Sequence, residues 1–246
     1  MLCATKVIVL FDPEYITASN HRKRYLSSLD GISTTDNSQP EAKSDAVRRE
    51  MVFLDSILTS HLHRQTKSAT LWFHRLWLVQ NFYDKLVRAS TTTGNPETDK
   101  LNGATAFFFQ EFDVVGLASE RHRHNYNAWL YLRRLYNMLQ QRQPLESTAV
   151  MNLALLWCVS HPSDTSGWSF LDFLLLLLHH PSQTENESNP LGIVRKVLHY
   201  ADSFQWQTEA VWTFLRSVIT NTRLFPEREI SELVALYERT KVRVGL

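Results

Sequence analysis

The chain has only two cysteines in 246 residues, Cys3 and Cys158, near opposite ends of its first two-thirds. Neither has a partner at metal-ligand spacing, so neither a disulfide framework nor a cysteine zinc site organises the fold. A reducing, cytoplasmic setting fits that usage. Glycine is also scarce, with seven residues never closer than the nine positions from Gly94 to Gly103. Dinucleotide and P-loop fingerprints need glycines a few residues apart and are excluded. Charge of one sign is missing as well. Lys and Arg total 26 against 25 Asp and Glu, a formal net charge of +1, which provides no global field to gather nucleic acid or anionic lipid. The longest uninterrupted apolar run, Phe173–Leu178, falls far short of the roughly 20 residues of a membrane-spanning helix and reads as buried core. Lys6 and the acidic segment Phe11–Glu14 interrupt the apolar start, so no secretory signal is read there.

What is present is helical periodicity. Apolar side chains recur at steps of three and four at Val47, Met51, Leu54, Leu58 and Leu62, then at Leu76, Val79, Tyr83 and Leu86. The same steps return at Trp129, Leu132, Tyr136 and Leu139, and at Trp212, Leu215 and Ile219, while Pro226 opens a terminal helix through Ile230, Leu233, Val234 and Tyr237. Polar, turn-forming stretches at Leu29–Asp45, Ser90–Thr105, Gln140–Thr148 and His180–Leu191 read as linkers. No period-two strand competes.

Four tryptophans expose an internal repeat: KSATLW ends at Trp72, HNYNAW at Trp129, SDTSGW at Trp168 and QTEAVW at Trp212. Four residues before each stands Ser68, Asn125, Asp164 or Thr208, whose side-chain oxygens suit a helix N-cap. Each Trp then lies one turn into its helix, where it is expected to wedge between helices as repeat core. An amphipathic helix precedes several of these motifs, so the unit reads as an antiparallel helix pair. The Trp-to-Trp separations of 57, 39 and 44 residues are too long and uneven for ankyrin or tetratricopeptide arrays. The expected fold is all-α, a superhelical solenoid of stacked helical hairpins.

TLWFHRLWLVQ at Thr70–Gln80, NYNAWLYLRR at Asn125–Arg134 and HPSDTSGWSFLDFLL at His161–Leu175 resemble the repeats of protein prenyltransferase alpha subunits. The NYNAW and SDTSGW versions are most similar to the divergent alpha-like subunit of type-III geranylgeranyltransferase. A weaker match, DPEYITASNHRKRYL at Asp12–Leu26, has Ser19 at the Trp position. That gives about five repeats, near 12–26, 67–80, 124–136, 163–175 and 207–219, in one domain over 1–246 that is expected to lack upstream repeat sequence and to expose an apolar first face.

The resemblance implies a non-zinc subunit that wraps a separate beta subunit of the Rab geranylgeranyltransferase type. The beta subunit would carry the zinc, so no catalytic residue and no metal belong to this chain alone. The complex would transfer geranylgeranyl from its diphosphate, the co-substrate, to a C-terminal protein cysteine, in this branch on a farnesylated SNARE. In the family a Lys before an Asn-Tyr pair, and the Tyr itself, face the diphosphate. Here Lys67 keeps the cation but Ala69 replaces the Tyr, whereas His124, Asn125 and Tyr126 keep the Asn-Tyr pair and exchange Lys for His. His124, Tyr126 and Lys67 are therefore the diphosphate-contact candidates, beside the plainer reading that Asn125 caps, Tyr126 packs and His124 is solvated.

Three residues after the Trp position the family has Arg, kept here as Arg22 and Arg75. With Asn125 these are the partner-interface candidates. Leu132, Leu171 and Leu215 replace Arg in the other repeats, and that loss supports an alternative: a non-catalytic scaffold that binds another helical protein. His61/His63 and His122/His124 lie two residues apart, pointing about 200° away from each other on a helix, and His179–His180 has no HExxH context, so no metal site is read from them. The run His21–Arg24 reads as a solvated helix end.

Overall fold

The computed structural model describes residues 2–29, 39–90, 102–178 and 189–246. Among the described residues there are twelve helices and no strand. They are α1 Leu2–Phe11, α2 Ile16–Ser28, α3 Gln39–Leu58, α4 His63–Thr66, α5 Ala69–Ser90, α6 Gly103–Arg121, α7 Tyr126–Arg142, α8 Ser147–Ser160, α9 Thr165–Leu178, α10 Pro190–Ser203, α11 Glu209–Ile219 and α12 Glu227–Arg243. Where the sequence suggests one domain, these helices group into two compact units, Met1–Leu145 and Glu146–Leu246.

Unit 1 holds three hairpins, α1/α2, α3/α5 and α6/α7, with the single turn α4 in the bend of the second. The second helices pack in order, α2 on α5 and α5 on α7, and first helix α3 packs on α6. Unit 2 repeats the plan: α8 pairs with α9 and α10 with α11, α9 packs on α11, and α12 lies against α10 and α11. Each unit is thus two layers of helices with the apolar stripes between them, the stacked-hairpin order expected of a helical repeat.

The periodic residues explain the layers. Val47, Met51, Leu54 and Leu58 of α3 are buried, as are Leu76, Val79, Tyr83 and Leu86 of α5 and Leu132, Tyr136 and Leu139 of α7. The series fails at Leu62, which is 51% exposed, because α3 ends at Leu58 and Leu62 is the N-cap residue of α4. Helix α5 bends at Phe82, whose backbone (φ −130°, ψ 24°) is not helical.

Helices claim part of the expected linkers. Gln39–Asp45 belongs to α3 and Gly103–Thr105 to α6, whose Asn102 side chain caps Thr105 N–H at 2.8 Å. Residues 30–38, 91–101 and 180–188 of those linkers, and His179 before the last, lie outside the described residues. At the other end of unit 1, α1 buries Thr5 and Val9 and leaves Val7, Ile8, Leu10 and Phe11 exposed. No helix among the described residues is long and apolar enough to cross a membrane.

Candidate functional site

All four repeat tryptophans are at most 3% exposed. The indoles of Trp72, Trp168 and Trp212 share a specific bond as well as a depth. Trp72 Nε1 donates to Thr66 O at 2.8 Å, Trp168 Nε1 to Pro162 O at 3.0 Å and Trp212 Nε1 to Trp206 O at 2.9 Å, each carbonyl lying six residues before its ring. A buried indole needs such an acceptor, and the bend before each helix provides it. Trp129 packs edge to face on Phe112, with centroids 5.8 Å apart.

The same carbonyls tie one repeat to the next. Ser68 Oγ donates to Pro13 O at 3.1 Å, Asn125 Nδ2 to Thr66 O at 3.1 Å and Thr208 Oγ1 to Pro162 O at 3.2 Å. In each case the residue four before a Trp reaches the carbonyl six before the Trp position of the preceding repeat. Residues read as caps from sequence therefore serve as inter-hairpin ties. Ser68 and Asn125 do both, since Ser68 Oγ accepts from Leu71 N–H at 3.1 Å and Asn125 Oδ1 from Ala128 N–H at 3.4 Å. Asp164 caps Ser166 N–H at 3.1 Å and accepts from Trp157 Nε1 at 3.1 Å. Thr208 occupies the N-cap position of α11 as the sequence suggests, but its hydroxyl makes no capping bond and donates to Pro162 O.

Two buried ion clusters join successive hairpins of unit 1. Arg22 Nε donates to Glu50 Oε1 at 2.7 Å, its Nη2 also engages Glu50, and its Nη1 donates to Thr5 Oγ1 at 2.9 Å. Arg75 repeats the device on α6, with Nε to Glu111 Oε2 at 2.6 Å and Nη2 to Glu111 Oε1 at 2.9 Å, while its Nη1 meets Asp55 Oδ1 at 2.5 Å. The Tyr131 hydroxyl donates to Glu111 as well. Arg22 and Arg75 are 2% and 1% exposed and Asn125 is 1%, so all three are internal to unit 1. They are not on its surface as interface residues. The physical reason is that a guanidinium bonded bidentately to a buried carboxylate is more favourable there than unpaired in either place.

Burial alone would weaken the Arg75 charge, but Glu111, Asp55 and Tyr131 outweigh it and raise its pKa well above the usual guanidinium range. Burial, reinforced by Glu111, pushes the Tyr131 hydroxyl well up. His74 is buried 3.4 Å from Glu50. Burial, then Lys23 and Arg22, hold its pKa down at about 3, so the imidazole is neutral at pH 7 and this contact is not an ion pair. Burial and Asp164 push the Cys158 thiol well up, which keeps it protonated and unreactive.

The diphosphate-contact candidates lie along one edge of unit 1, at the starts of α5 and α7. Asn125 Nδ2 bonds Thr66 O, and Asn127 Nδ2 donates to Lys67 O at 2.8 Å, so the segment 124–127 is fastened beside Lys67. The two positions five before Trp differ in backbone. Lys67 is half-buried at φ −93°, ψ 3°, whereas exposed His124 has φ +59°, a left-handed conformation that His tolerates better than most residues. Tyr126 is 65% exposed and so does not pack, and its N–H donates to His124 O at 3.0 Å. The rings of His63 and His122 meet edge to face, and among the described residues no three His, Cys, Asp or Glu side chains lie together as a metal-holding group.

Sequence reasoning missed Glu50, Glu111, His74, Asp55 and Tyr131. For Glu50 and Glu111 a signal existed. The first helices facing Arg22 and Arg75 carry them, whereas α8 has no acidic residue at all.

A family model described as the ECM9 middle domain matches residues 71–199. The chain is 30% identical over 203 residues to the human (Homo sapiens) protein prenyltransferase alpha subunit repeat-containing protein 1, covering 78% of this chain and 44% of that protein. It is 26% identical over 204 residues to protein prenyltransferase alpha subunit repeat-containing protein 1-A of Xenopus laevis, covering 80% and 41%. The chain spans less than half the length of these curated relatives.

Proposed function

Because the chain belongs to the ECM9 middle domain family and is related over most of its length to prenyltransferase alpha-subunit repeat proteins, we propose that it is the alpha-like, non-zinc subunit of a heterodimeric protein geranylgeranyltransferase. In this reading it embraces a catalytic beta subunit of the Rab type. That subunit supplies the zinc and binds geranylgeranyl diphosphate, and the complex modifies a C-terminal cysteine, in this branch on a farnesylated SNARE. The observation that carries the reading is the shared register of the repeats. Four indoles at one depth, three of them bonded to the carbonyl six residues back, recur in the hairpins of a chain whose relatives bear the prenyltransferase alpha-repeat name.

The contribution of this chain to the reaction is electrostatic and positional. The start of α5 already holds the Glu14 carboxylate through Thr70, and Leu71 and Ala128 N–H are capped by Ser68 and Asn125, so in this reading the side chains of Lys67, His124 and Tyr126, rather than open helix N–H groups, meet a diphosphate held by the beta subunit. Stabilising the departing diphosphate there would add to the thiolate activation that zinc performs.

The experiment is co-expression with the beta subunit of the Rab-type enzyme. A stable complex that transfers labelled geranylgeranyl to a farnesylated SNARE peptide is the expected result, with Lys67→Ala, His124→Ala and Tyr126→Phe raising KM for the diphosphate. A soluble chain that neither associates nor supports transfer sinks the proposal. A second reading, a non-catalytic scaffold for another helical protein, is favoured by the unlike backbones of Lys67 and His124, which present the family cation differently in the two repeats. A complex without transfer is its signature.

A further inference from the structure

The helices of unit 1 are sorted by charge. Second helices α2, α5 and α7 carry nine Lys and Arg against one acid, Asp84, whereas first helices α3 and α6 carry seven Asp and Glu against four Lys and Arg. Of the nine cations, Arg22 and Arg75 are neutralised internally by Glu50 and Glu111. A chain with a net charge of +1 thus has one cation-rich, acid-poor helix layer in unit 1.

Three of the remaining cations lie over aromatic rings of α5 and bridge it to its neighbours. Lys23 of α2 stands 5.7 Å from the Trp77 centroid, and from α7 Arg134 stands 4.6 Å from Phe73 and Arg142 5.1 Å from Tyr83. None of the three has an ion-pair partner among the described residues. A cation already held over a ring has lost much of its rotamer freedom, so a carboxylate meeting it orders less and binds more tightly. Beside Arg134, between α5 and α7, lies a small apolar depression of about 10 Å³ lined by residues including Ala69, Phe73 and Leu130. Phe73 remains 44% exposed, and the nearby Tyr126 is 65% exposed.

We propose that the second-helix layer of unit 1 docks an acidic protein surface. Carboxylates would pair with Lys23, Arg134 and Arg142, and an apolar side chain would lie over the exposed ring of Phe73. This deepens the partner-binding reading above by naming the face and its chemistry, and it rests on that reading only for the identity of the partner. The occupant is a protein rather than a nucleic acid or a lipid headgroup surface because all three cations stand over aromatic rings and Arg134 adjoins the apolar depression and exposed Phe73, the combination that anchors protein hot spots. The acids of α3 and α6 lie in the other layer, where they do not repel such a partner.

Two probes test this with the full chain: the beta subunit of the Rab-type enzyme, and a fluorescein-labelled helical peptide of Leu and Glu with its Leu/Lys counterpart as control. Fluorescence anisotropy on wild type is compared with Arg134→Glu/Arg142→Glu, with the milder Arg134→Gln, and with Arg228→Glu on the exposed surface of α12. Circular dichroism checks that each variant is folded. The expected result is that the acidic peptide binds and the basic one does not. Double charge reversal should weaken the acidic peptide, and the beta subunit if it binds, by roughly tenfold or more, while Arg228→Glu leaves both unchanged. If the beta subunit does not bind but the acidic peptide does so in this Arg-dependent way, the docking face stands and the geranylgeranyltransferase reading falls. If the beta subunit binds and both probes ignore the reversal, the reverse holds. If neither probe binds the proposal is overturned, as it is by equally tight, equally Arg-dependent binding to phosphatidylserine vesicles or RNA.

Discussion

Replacing Arg75 by Leu reproduces, in the second repeat, the residue that Leu132, Leu171 and Leu215 place at the same position. In unit 1 this change removes the guanidinium from a site 1% exposed and leaves Glu111, 3% exposed, with the Tyr131 hydroxyl as a donor, while Asp55 loses its 2.5 Å contact. An uncompensated buried charge costs about 3–5 kcal/mol. Adding Glu111→Leu removes that charge and should recover most of the loss, leaving the Tyr131 hydroxyl without its carboxylate at about 1–3 kcal/mol. Adding Tyr131→Phe should return stability to within about 1 kcal/mol of wild type, because apolar replacement of a whole buried ion cluster is often neutral or stabilising. Urea unfolding followed by far-UV circular dichroism, with hydrogen exchange on α5 and α6 peptides to localise the change, gives the order single, double, triple from least to most stable. The reasoning is refuted if Arg75→Leu costs under about 1 kcal/mol, or if adding Glu111→Leu makes the single variant worse.

Three further outcomes follow from individual contacts. A Cβ on Gly167 would stand 2.8 Å from the Trp157 ring, so Gly167→Ala should lower stability by about 1–3 kcal/mol, and a thermal melt should show partial recovery when Trp157→Leu is added. Thr208→Val, which loses the bond to Pro162 O, should cost about 1 kcal/mol in urea unfolding; Thr208→Asn, able to donate as Asn125 does, should stay near wild type. His74 titrates near pH 3 folded and near its ordinary 6.5 unfolded, so the unfolded chain binds the extra proton between those values. Its contribution is complete above pH 6.5 and declines as pH falls to about 3, by up to about 1.4 kcal/mol per pH unit. His74→Gln should flatten that part of the stability curve, and an unchanged curve would count against a neutral buried imidazole.

What the sequence determined by itself is local. The steps of three and four that bury Leu76, Val79, Tyr83 and Leu86, and the common depth of Trp72, Trp129, Trp168 and Trp212, are set within a turn or two of helix, where spacing alone decides which side chains share a face. The caps at Ser68, Asn125 and Asp164 were legible for the same reason. Tertiary structure decided what those residues meet. Arg22 and Arg75 turn inward because Glu50 and Glu111, 28 and 36 residues away, arrive on the first helix of the next hairpin, and no helical period encodes that encounter. The tie made by Thr208 at the N-cap of α11 was not legible because its acceptor is a backbone carbonyl, a group every residue carries and no sequence pattern marks. The division into two units, and the gathering of cations over the rings of α5, likewise depend on which helices become neighbours after folding.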